Sequence, residues 1–143
     1  MKGDSMSMID IVQRVIELSQ EYESKRKIHE AEHGTAEGFF VGERKAEGYF
    51  EATEFLDRKI KLYLESLPET ELRKLQTLVY FGRGDDDDIF SLHEHLTSVS
   101  PTREDVIRTV VEKAPALSTY LLTALRRVER SGIDIDGSFE KVE

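Results

Sequence analysis

The sequence contains no cysteine and no tryptophan, and it has three prolines in 143 residues. Without cysteine there is no disulfide frame, no thiolate metal site and no cysteine nucleophile, which suits a reducing, cytoplasmic setting. No apolar run approaches the roughly 20 residues that cross a bilayer, so no membrane partner is expected. The stretch Met1 to Met8 carries one basic residue, Lys2, and no apolar core. It is neither a signal peptide nor a myristoylation site, and residues 1–6 read as a disordered lead. Basic charge is also scarce: 20 Lys and Arg against 29 Asp and Glu give a net charge of −9. Such a surface repels phosphate backbones. The best basic stripe, Lys25-Arg26-Lys27, is flanked by Glu21, Glu23, Glu30 and Glu32 and reads as a solvated helix face, so no nucleic-acid partner is expected.

What the sequence does have is helical periodicity. Met8, Ile11, Val12, Val15, Ile16, Leu18 and Tyr22 make one wide apolar face, which fades after Tyr22. Gly34, Gly38 and Gly42 interrupt any continuation, and between them Phe39-Phe40-Val41 is too apolar for a free loop. A second long helix is expected over about 43–66, with Phe50, Thr53, Leu56, Ile60, Tyr63, Leu64 and Leu67 inward. Pro68 restarts the chain into a third helix over about 69–81, with Leu72, Leu75, Leu78, Val79 and Phe81 inward.

Gly82-Arg83-Gly84 ends that helix, and Asp85 to Asp88 start a fourth, carrying Ile89, Phe90, Leu92 and Leu96. A fifth helix opens with either Ser100 or Thr102 as its cap; Thr102 with Asp105 would form a capping box. Ala114-Pro115 breaks or kinks it. The last helix carries Leu117, Tyr120, Leu121, Ala124, Leu125 and Val128 and is capped by Gly132, and residues 133–143 read as a frayed tail. The expected fold is all-α: one domain over 1–143, of five or six helices, with a long N-terminal helical hairpin or arm and a compact bundle.

Leu72-Arg73-Lys74-Leu75-Gln76-Thr77-Leu78-Val79-Tyr80-Phe81-Gly82-Arg83-Gly84-Asp85 and the later Pro115-Ala116-Leu117-Ser118-Thr119-Tyr120-Leu121 carry a resemblance. Over about residues 72–133 the chain resembles a bacterial family of small helical proteins known only as a domain of unknown function. In that family an apolar helix ends in a Gly-Arg-Gly-Asp corner, and a later helix carries a proline, a leucine and a Tyr-Leu pair. The run of four aspartates departs from the pattern, as does the region before Leu67. The resemblance implies a helical fold and a bacterial source, and it brings no activity.

Several motifs suggest chemistry. His29-Glu30-Ala31-Glu32-His33 fits H-E-x-x-H, in which two histidines on one helix face hold zinc and the glutamate acts as base. Glu51 or Glu54 would supply a third ligand for a metal-dependent hydrolase. Against this, Lys25 to Lys27 precede the motif and Gly34 follows it at once, which describes a charged helix end. No cofactor is expected, zinc at His29 and His33 being the one alternative.

The corner Gly82-Arg83-Gly84-Asp85 is the most site-like stretch. Glycine amides and an arginine can grip an anion, while the aspartates beside it compete for the arginine. Four consecutive aspartates point in different directions and rarely converge on one ion. His93 and His95 alternate rather than share a helix face and read as surface residues.

The expected function is a non-catalytic interaction or self-assembly module, with a homo-oligomer or a protein as partner. That expectation rests on the wide apolar faces and on Phe39-Phe40-Val41. The alternatives are an anion- or small-ligand-binding regulatory module at Gly82 to Asp85, and the metal-dependent hydrolase at His29, Glu30 and His33.

Overall fold

The computed structural model describes residues 7–33 and 56–140. Its elements are α1 (Met8–His33), a helix over 56–65 (α2), α3 (Glu69–Arg83), α4 (Ile89–Val99), α5 (Arg103–Val111), a 3-10 turn at Ala114–Ala116, and α6 (Leu117–Ser131). No strand occurs among the described residues, and the fold is all-α. No helix among them is long and apolar enough to cross a membrane. The expected lead over 1–6, Phe39-Phe40-Val41 and the first half of the expected second helix lie outside the described residues.

The middle helix in space is α3, which packs against α1, α4, α5 and, most extensively, α6. Its leucine stripe explains this: Leu72, Leu75, Leu78, Val79 and Phe81 are all buried. They meet Leu117, Leu121, Ala124 and Val128 of α6 in one core with Ile11, Val12 and Val15 of α1. The apolar face of α1 that suggested an interaction surface is thus covered within the chain. Gly82 permits the closest approach of α3 to α6, because a Cβ there would lie 1.7 Å from the Tyr120 carbonyl oxygen. No rotamer change relieves a clash with backbone.

Polar side chains fix how the helices end. The Thr102 hydroxyl accepts from the Asp105 N–H at 3.1 Å, and the Asp105 carboxylate accepts from the Thr102 N–H, a complete capping box for α5. Ser100 lies instead at the C-terminus of α4, and Pro101 is outside either helix. Asp88 caps α4 by accepting from Phe90 and Ser91. Gly84, at φ 94°, and Gly132, at φ 70°, end α3 and α6 in the left-handed conformation that glycine adopts without a Cβ penalty.

Three arginines cover helix C-termini, where orphan carbonyls need donors. Arg103 donates to the carbonyls of Leu64, Glu65 and Leu67, Arg73 to those of Ser100 and Pro101, and Arg127 to that of Phe81. At the Ala114-Pro115 break, buried Ser19 of α1 donates to the Ala114 carbonyl and accepts from the Ser118 N–H.

The tail differs from expectation. Residues 133–140 do not fray; they fold back across the bundle. Phe139 is 1 % exposed and belongs to the core. The Asp136 carboxylate accepts from the Met8 N–H at 2.8 Å, placing negative charge at the positive end of α1. Asp134 closes the turn by accepting from the Asp136 and Gly137 amides. Phe139, the partly buried Ile133 and Ile135 packed against the core, and the helix-end carboxylate all favour the ordered segment.

Candidate functional site

Gly82, Arg83, Gly84 and Asp85 form a corner whose donors are already engaged. The Arg83 guanidinium donates twice to the Asp85 carboxylate, at 2.8 and 2.7 Å, and lies over the Tyr80 ring. That bidentate bond holds the Asp85 carboxyl below its ordinary range and raises the arginine. The Gly84 N–H points back to the Tyr80 and Phe81 carbonyls. Gly82 serves the helix crossing. An incoming anion would have to displace Asp85.

The four aspartates diverge: Asp85 bonds Arg83, Asp86 accepts from the Asp88 N–H, Asp87 pairs with Arg127 and Asp88 caps α4. His29, Glu30 and His33 lie within α1, but their side chains are outside the described residues. Among the described residues, no group of three or more His, Asp or Glu is placed to hold a metal ion.

A different place gathers unspent chemistry. The tail segment crosses the groove between α3 and α4 and leaves a cavity of about 380 Å³, lined by Thr70, Glu71, Lys74, His93 and residues 136–140. Helical spacing brings Thr70, Lys74 and Thr77 to one side of α3, beside the leucine stripe. Lys74 is only 4 % exposed. Its ammonium lies 4.9 Å from the centre of the Phe139 ring and has no hydrogen bond or ion pair among the described residues. Burial lowers its pKa, and the more distant carboxylates of Asp136, Glu71 and Asp134 pull the other way.

His93 of α4 faces the same cavity and is half-buried rather than on the surface as expected. Its Nδ1 is 2.7 Å from the Thr77 hydroxyl oxygen, and that hydroxyl donates to the Arg73 carbonyl. With the one hydroxyl proton so used, Nδ1–H must donate to Thr77, which leaves Nε2 as the basic nitrogen. The ring meets Phe139 edge-on at 5.6 Å. Burial lowers the His93 pKa; Glu140 opposes this, while Arg73 and Lys74 add to it. The histidine is therefore neutral at pH 7, so Lys74 is the cation of the cavity.

Sequence alone assigns Lys74 no role of its own and reads 133–143 as a frayed tail rather than as a wall of a cleft. A signal was present in each: a polar stripe at helical spacing on an otherwise apolar helix, and a lone phenylalanine in a polar terminus. No protein-family model, no curated protein and no solved structure matches the chain.

Proposed function

We propose that this protein is a small-ligand-binding module whose site is the cleft between α3, α4 and the tail segment 133–140. Lys74 carries the reading: its stem is buried, and its ammonium reaches the cleft with no hydrogen-bond acceptor among the described residues. An ammonium held on a buried stem and facing a cleft without an acceptor is placed to receive one from a ligand. Neutral His93 offers a second polar contact.

The test is thermal unfolding of the full chain with small carboxylates, phosphate and amino acids, beside the Lys74→Met variant. A ligand at 100 times its Kd adds about 2.7 kcal/mol of stability. The expected outcome is a shift for the wild type that the variant lacks. Equal shifts for both proteins would remove the cleft as the site.

Assembly with a second copy or a protein partner is a second reading, supported by a separate observation. Leu62 of α2 is 61 % exposed, and an open groove of about 440 Å³ between α2 and α5 has Ile107 and Val111 at its apolar base. Light scattering that gives a dimer in the wild type and a monomer in Leu62→Ser would support it; a wild-type monomer at 100-micromolar order of concentration would end it.

A further inference from the structure

Charges of both signs line the Lys74 cavity without touching one another. The ammonium of Lys74 has no acceptor, and the carboxylates of Glu71 and Glu140 have no donor among the described residues. Glu71 lies one turn before Lys74 on α3, and Glu140 comes from the tail. Asp136 is committed on one oxygen to the Met8 N–H. All three carboxylates line the same cavity as Lys74, yet none bonds to it.

This arrangement selects among ligand charges. A phosphate or dicarboxylate would satisfy Lys74 but bring two negative charges against Glu71, Asp136 and Glu140. A simple amine would suit the carboxylates but confront the Lys74 ammonium. A molecule with one carboxylate and one ammonium a few ångströms apart satisfies both. The volume, about 380 Å³, equals roughly a dozen waters at about 30 Å³ each, which is room for a single amino acid or a dipeptide.

We infer that the cleft binds a small zwitterion of the amino-acid class, its carboxylate on Lys74 and its ammonium toward Glu71 and Glu140. This rests on the cleft being a binding site at all. The geometry also makes Lys74 the anchor and Glu71 the residue that distinguishes a zwitterion from a plain anion.

Isothermal titration of the full chain separates the two claims. The probes are the twenty free amino acids, glycylglycine, propionate and ethylamine, each against wild type, Lys74→Met and Glu71→Gln. Lys74→Gln serves as a second lysine variant, and melting curves establish that each variant is folded. At least one amino acid or the dipeptide should bind at least tenfold more tightly than propionate or ethylamine. Lys74→Met and Lys74→Gln should each weaken that binding tenfold or more. Glu71→Gln should weaken the zwitterion but not propionate. A preference for glycylglycine over every free amino acid would assign the ligand to the peptide form of the same class.

Propionate binding as tightly as any zwitterion, with dependence on Lys74, would overturn the zwitterion while leaving the cleft as an anion site. Binding indifferent to Lys74, or none by any probe at 10-millimolar order of concentration, would overturn both.

Discussion

Replacing Lys74 by methionine should make the folded protein more stable while removing the proposed ligand anchor from its cleft. The wild-type residue is 4 % exposed, with its ammonium at the cleft and without an acceptor among the described residues. Partial desolvation of an unpaired polar group costs on the order of 1–3 kcal/mol. Against that stands its contact with the Phe139 ring, worth about 0.5–2 kcal/mol. Methionine keeps an unbranched stem of similar length, and its sulfur still contacts the ring favourably, by about 0.3–1.5 kcal/mol. The difference favours the variant by about 1 kcal/mol, or roughly 3 °C in Tm for a chain of this size.

The pH dependence checks the cause. Burial lowers the folded-state pKa of Lys74 below its ordinary 10.5. Between those two values the unfolded chain binds more protons than the folded one, so stability rises with pH there. Below that window the penalty applies in full. Urea titrations of both proteins from neutral pH to about pH 10 should therefore show the variant's advantage shrinking as pH rises. If Lys74→Met is instead destabilised by 1 kcal/mol or more at pH 7, the ammonium is holding the fold together and the reasoning is wrong.

Three further outcomes follow from the packing. Gly82→Ala should lose about 3 kcal/mol or fail to fold, because its Cβ meets the Tyr120 carbonyl, whereas Gly84→Ala, in open space at positive φ, should lose only about 1 kcal/mol; denaturant titration ranks them, and the reverse order would refute the helix-crossing account. Phe139→Ala should cost about 3–4 kcal/mol and raise amide exchange at Met8 along with the tail, and a change within 0.5 kcal/mol would mean that the tail frays after all. His93 has a folded pKa below its ordinary 6.5, so on acidification the unfolded chain protonates first. Stability should thus fall as pH drops below about 6.5, and His93→Gln, which can still donate to Thr77, should lose less between pH 7 and pH 5; identical pH profiles would contradict a buried neutral histidine.

Much of the fold was legible because helix signals are local. The Leu72, Leu75, Leu78, Val79 stripe on α3 and the leucines of α6 are buried as their spacing requires. Gly84 and Gly132 end their helices where expected. At the start of α5 two caps fit the pattern, and only the partner at the third helical position separates them: Asp105 closes the box with Thr102, while Ser100 is taken up by the end of α4.

The candidate site was not legible, for a physical reason. It is made by a long-range contact, the tail returning across α3 and α4, and Ile133, Ile135 and Phe139 make too short a pattern to announce that return. Lys74 on a helical wheel looks like one more solvated lysine until Phe139 covers it. The corner at Gly82 to Asp85 drew attention because glycine and arginine are conspicuous, yet those residues serve a helix end, a close crossing and an ion pair.

The most direct test of the central claim is a map of ligand-induced amide chemical-shift changes across the whole chain, with the amino-acid panel as probe. The account predicts changes concentrated at Thr70 to Thr77, His93 and residues 134–140, saturating together. Saturable changes centred on Gly82 to Asp85 or on the α2–α5 groove, or none at all, would contradict it.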